Sequence, residues 1–106
     1  MRILFDQGTP VPLRSFLSSH QVETAFERGL STLSNGDLLA VAEQEGFEVF
    51  VPTDKNLRNQ QTFGGLRIAI VVLSSTSWPR IQKAVTAVKQ AIDAAWPGSF
   101  KEVAIP

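Results

Sequence analysis

The stretch Phe47-Glu48-Val49-Phe50-Val51-Pro52-Thr53-Asp54-Lys55-Asn56 decides the reading of this chain. A short apolar run of strand-forming residues passes into a polar turn that opens with a carboxylate. The same event occurs at the N-terminus, where Arg2-Ile3-Leu4-Phe5 runs into Asp6 and then Gln7-Gly8-Thr9-Pro10. In an open α/β sheet, ligands bind outside the carboxyl ends of the strands, where the strand order reverses. If both runs are central parallel strands, Asp6 and Asp54 overhang one crevice.

Working outward, the rest of the chain alternates strand and helix patterns. Residues 11–18 carry apolar residues at loose helical spacing behind Pro10, and 21–26 alternate polar and apolar as a half-exposed strand does. Ser34 is a good N-cap, with Asp37 three residues on, for a helix running to Glu45 and stopped by Gly46. The polar segment 54–61 has room for one or two helical turns before Gly64-Gly65. Arg67 to Leu73 is almost continuously apolar, as in a strand buried on both faces. One helix is expected from Pro79 to Pro97, with Ile81, Ala84, Val85, Val88, Ile92 and Ala95 as its stripe, and Phe100 to Ile105 as a final edge strand. The order predicts an α/β fold of three layers, α/β/α, around a mostly parallel sheet of four to five strands. Right-handed crossovers and an order beginning 2-1-3-4 set strand 1 beside strand 3 at the switch point.

At 106 residues, 43% hydrophobic and 19% charged, one globular domain is expected. There is no cysteine and one histidine, which excludes disulfides and makes a conventional zinc site unlike this chain. With no apolar run near ~20 residues and no secretory pattern, the expectation is a cytoplasmic protein without a membrane. The net charge of zero hides an asymmetry. Residues 1–50 carry three Lys/Arg against seven Asp/Glu, and residues 51–106 carry seven against three. Unequal helix surfaces account for this as readily as an acidic pocket facing a basic rail.

Asp6, Asp37 and Asp54 are three of four aspartates in the chain. Acids gathered at one place repel one another unless a cation compensates, and a hard cation such as Mg²⁺ or Mn²⁺ takes oxygen ligands. Each acid has an ordinary explanation too: Asp6 an Asx-turn, Asp37 a helix cap, Asp54 the start of a short helix. Lys55, Asn56 and Arg58 follow the third acid, and Arg14 lies on the first helix; each suits phosphate positioning or plain surface solvation. Trp78 and Trp96 fit core packing or a dimer contact better than base stacking. His20, before an edge strand, is assigned no catalytic role.

The motifs Ile3-Leu4-Phe5-Asp6, Ser34-Asn35-Gly36-Asp37-Leu38 and Val51-Pro52-Thr53-Asp54-Lys55-Asn56-Leu57, in this order and spacing, resemble a PIN-like family. It is the compact branch of the PIN nuclease superfamily found among toxin–antitoxin components. The resemblance spans roughly Met1 to Leu73. It implies a single PIN-like domain over 1–106, Mg²⁺- or Mn²⁺-dependent endoribonuclease activity, and metal-ligand and catalytic roles for Asp6, Asp37 and Asp54. It also implies an RNA substrate and an antitoxin protein as partner; a homodimer is a further expectation. Gln7 stands where many relatives place a second acid, and Pro52 where Thr is common. Gln7 favours an alternative, an inactive PIN-like module that binds a protein or RNA without cutting. A receiver-like phosphoacceptor centred on Asp54 is the third reading; it lacks the acidic pair after strand 1 and the lysine after strand 5.

Overall fold

The computed structural model describes residues 1–54, 57 and 66–106. Five strands, β1 (Arg2–Phe5), β2 (Gln21–Thr24), β3 (Val49–Val51), β4 (Ala69–Leu73) and β5 (Phe100–Val103), form one sheet in the order β2-β1-β3-β4-β5. Every pairing is parallel. This is the doubly wound order in which the chain reverses direction between β1 and β3. A 3-10 helix (Val11–Phe16) and the helices α1 (Asn35–Gln44), α2 (Trp78–Lys83) and α3 (Val85–Asp93) complete the three-layer sandwich.

The register explains the layers. Ile3 pairs with Val49, Leu4 with Phe50 and Phe5 with Val51, so alternate residues leave the sheet on opposite faces. Ile3, Phe5, Val49, Val51, Val71 and Leu73 join a core with Leu13, Ile81, Val88 and Ile92 from the 3-10 helix, α2 and α3. Leu4, Phe50, Ile70 and Val72 join a second core with Leu38, Leu39 and Ala42 of α1. A sheet covered on both faces needs apolar residues at every strand position, and β3 and β4 are buried throughout. The edge strands differ: β5 begins with exposed Phe100 and Lys101, and β2 alternates.

Three elements depart from the sequence expectation. The helix expected from 79 onward is two, with the break at Ala84 (φ −110°, ψ 15°), whose N–H bonds to the Ile81 carbonyl at 2.9 Å. The shift from a four-residue to a three-residue bond tightens the turn there. The strand expected over 21–26 stops at Thr24, because Thr24-Ala25-Phe26-Glu27 forms a reciprocal capping box. Thr24 N–H donates to Glu27 Oε1 at 3.0 Å, and Glu27 N–H donates to Thr24 Oγ1 at 3.1 Å. The first connection is a 3-10 helix rather than an α-helix. No helix among the described residues is long and apolar enough to cross a membrane.

Candidate functional site

β1 and β3 end side by side, and each hands on an acid. Asp6 follows Phe5, which pairs with Val51; Asp54 lies three residues beyond Val51. The Asp6 carboxylate is buried, 6% exposed, and held on both oxygens. Oδ1 accepts the Gly8 N–H at 3.1 Å and lies 2.6 Å from the Thr9 hydroxyl; Oδ2 accepts the Thr53 N–H at 3.2 Å. The Thr9 hydroxyl also lies 2.7 Å from the Val51 carbonyl oxygen, and with one proton it donates to one acceptor at a time. Asp6 thus latches the turn after β1 to the turn after β3. The approach is close: a Cβ at position 8 would sit 2.5 Å from Thr53 Oγ1, so a larger residue there would force the Thr53 side chain to turn away.

Asp54 is half-buried, and its Oδ2 accepts from Asn35 Nδ2 at 3.4 Å. Asn35 opens α1, so the helix N-terminus is tied to the β3 end. Asp37, two residues on, is exposed; its N–H donates to Ser34 Oγ at 3.3 Å, the capping bond expected from the sequence. The three aspartates therefore occupy the carboxyl-end side of the sheet, linked through Thr53 and Asn35. Among the described residues, no group of three or more His, Asp or Glu side chains stands close enough together to hold a metal ion.

The remaining expected site residues separate. Arg14 faces the β2 side, its Nη1 on Glu27 at 2.9 Å and on the Val22 carbonyl at 3.3 Å. Lys55, Asn56 and Arg58 lie outside the described residues. His20 bridges the Met1 backbone nitrogen and Asp93. Trp78 packs on the core and against Phe16, ring centroids 5.8 Å apart, whereas Trp96 is 67% exposed.

Beside Asp54 opens a crevice of about 660 Å³. Thr53 and Asp54 form one wall; Ser74, Ser75, Thr76 and Arg80, from the β4 end and α2, form the other. Its signal in the sequence is the hydroxyl run Ser74-Ser75-Thr76-Ser77 directly after a buried strand. A second hollow, about 510 Å³, opens at the amino ends of the strands near Phe47, Glu48, Arg67 and Trp96. There the Glu43 carboxylate is committed to the N–H groups of Arg67 and Ile68, both at 2.8 Å. Sheets of this type place their chemistry at the other end.

No protein-family model, curated protein sequence or solved structure gives a significant match to the chain.

Proposed function

We propose that the carboxyl-end face of the sheet at the β1–β3 switch point is the active site of a divalent-metal-dependent ribonuclease, with Asp6 and Asp54 at its centre and Asp37 at its margin. The observation that supports it is that β1 and β3, side by side at the switch point where doubly wound sheets bind ligands, each run into an acid. The donor set suits the ion. Mg²⁺ is commonly bound through one or two carboxylates, waters and substrate phosphates rather than by a complete protein cage. Asp6 Oδ1 has both lone pairs engaged, but Oδ2 accepts one N–H among the described residues and has capacity for a second partner. Asp6 and Asp54 would hold the ion; when bound, it polarises a phosphoryl oxygen and generates a nucleophilic water near neutral pH.

The chain's own contribution is preorganisation. Three donors fix the Asp6 carboxylate before any ligand arrives, and Asn35 orients Asp54. RNA as substrate, the place of a toxin and an antitoxin partner follow from the PIN-like resemblance. Lys55, Asn56 and Arg58 follow Asp54 in the chain and are proposed to meet the RNA backbone.

The test is Asp54→Asn, because this side chain is half-buried and its replacement keeps the shape. Cleavage of single-stranded RNA in Mn²⁺ should fall by at least the ~10–100-fold that loss of a supporting group at a metal site costs, with the melting temperature unchanged. Equal cleavage by the variant and the parent chain rejects the mechanism. The non-cutting binding module remains the second reading, favoured by the commitment of Asp6 to structural hydrogen bonds. It predicts RNA binding without cleavage and no heat of Mn²⁺ binding by calorimetry.

A further inference from the structure

The crevice wall across from Asp54 is built from hydroxyl groups that keep their own protons to donate. Ser74 Oγ accepts the Ile105 N–H at 2.7 Å, and Ser75 Oγ accepts the Ser77 N–H at 3.0 Å. A hydroxyl carries one proton and two lone pairs. An oxygen already accepting from the backbone retains its own proton to donate, and neither proton has an acceptor among the described residues. Arg80 lines the same space, is exposed, and makes no ion pair among the described residues. Its guanidinium is a permanently charged, forked donor. Two O–H donors, their oxygens held by backbone N–H groups, and Arg80 therefore border one polar space, together with Thr53 and Thr76.

We propose that this wall is an oxyanion subsite for a phosphoryl group, with Ser74, Ser75 and Arg80 as its donors. A phosphoryl group presents several charged oxygens in different directions, which matches donors arriving from a strand end, a loop and a helix. Arg pairs such oxygens bidentately, and charge-assisted bonds of this kind are about twice as strong as neutral ones. The subsite deepens the ribonuclease reading and rests on it for its place in catalysis: it would seat a phosphate of the RNA beside the acids. Binding of the anion itself needs no metal.

The presence of Asp54 in the same crevice gives a test with opposite signs. A carboxylate beside a bound anion repels it, whereas Arg80 attracts it. The ¹⁵N-labelled full chain is titrated in EDTA with inorganic phosphate, and separately with a short single-stranded oligoribonucleotide, following the amides of Thr53 and residues 74–77. Saturable shifts are expected there; Arg80→Gln should weaken binding by about tenfold, Ser75→Ala should weaken it less, and Asp54→Asn should tighten it. Absence of saturable shifts with both probes, or equal affinity in Arg80→Gln, overturns the subsite. Tighter binding of the oligoribonucleotide identifies a phosphodiester as occupant; tighter binding of inorganic phosphate keeps the subsite and assigns it to a terminal phosphate. Binding in EDTA with no cleavage in Mn²⁺ defeats the ribonuclease reading and leaves the subsite standing. Mn²⁺-dependent cleavage without phosphate binding does the reverse.

Discussion

Asp6 shows how a single side chain can serve fold and site together. Its burial without unpaired atoms is possible because Gly8, Thr9 and Thr53 all direct donors at it. An amide cannot replace that carboxylate cleanly. Whichever way Asn is turned, its NH₂ meets a donor, either Thr53 N–H or the Gly8 and Thr9 pair. Asp6→Asn should therefore cost about 1–3 kcal/mol of stability, the usual cost of leaving a buried donor unpaired, seen as a lower urea midpoint. An unchanged midpoint would mean that the latch contributes nothing. Loss of cleavage in this variant would thus mix structural and chemical causes, which Asp54→Asn separates. The two strand-end acids were legible because an apolar run ending in Asp is a local pattern. The latch was not, since Asp6 and Thr53 become neighbours only through the pairing of β1 with β3.

Among elements, the turn after β2 makes a carboxyl, that of Glu27, more acidic. The Thr24 backbone N–H and the hydrogen bond from Arg14 hold the Glu27 carboxyl below its ordinary value of 4.5 against the opposing effect of desolvation, with the Arg14 charge and the Thr24 hydroxyl adding to the lowering. A carboxyl whose folded value is depressed favours the folded state at pH above its unfolded value. That contribution fades as pH falls through the folded value. Melting temperatures measured from pH 6 down to about pH 3 should therefore drop less steeply for Glu27→Gln than for the parent chain; parallel curves would show that the box does not couple to folding. The Thr-x-x-Glu spacing was legible, but it competes with the alternation that reads 21–26 as strand, and the reciprocal capping bonds prevail after Thr24. The break at Ala84 had no such marker, for neither Gly nor Pro stands there. A stripe of period 3.6 is unaltered by one tightened turn, so apolar spacing alone read 79–96 as continuous.

At the scale of the whole molecule, the strand order converts the charge asymmetry of the sequence into a lateral one. The acid-rich first half supplies β2, β1, α1 and most of β3, and the base-rich second half supplies β4, β5, α2 and α3 together with every residue that lines the crevice of Asp54 and Arg80. Composition showed the imbalance; only the topology gives it a direction. The doubly wound sheet itself was the most legible feature, because burial on both faces demands unbroken apolar strands and the sequence supplies them at 49–51 and 69–73. That design concentrates stability in the centre of the sheet. Phe50 is fully buried in β3, between Leu4 and Ile70 on its flanks and packed in the layer of Leu38, Leu39, Ala42 and Leu57. Truncation there removes a large ring from a position that neighbouring strands hold rigid, so the cavity closes poorly. Phe50→Ala should cost about 3–5 kcal/mol, a large share of the roughly 5–15 kcal/mol typical of a domain. Val22→Ala, on edge strand β2 and already 9% exposed, should cost distinctly less. Urea denaturation of both variants decides the matter. Equal losses would mean that the edge is as tightly built as the centre, and that the acids at the β1–β3 junction do not sit on the most rigid part of the molecule.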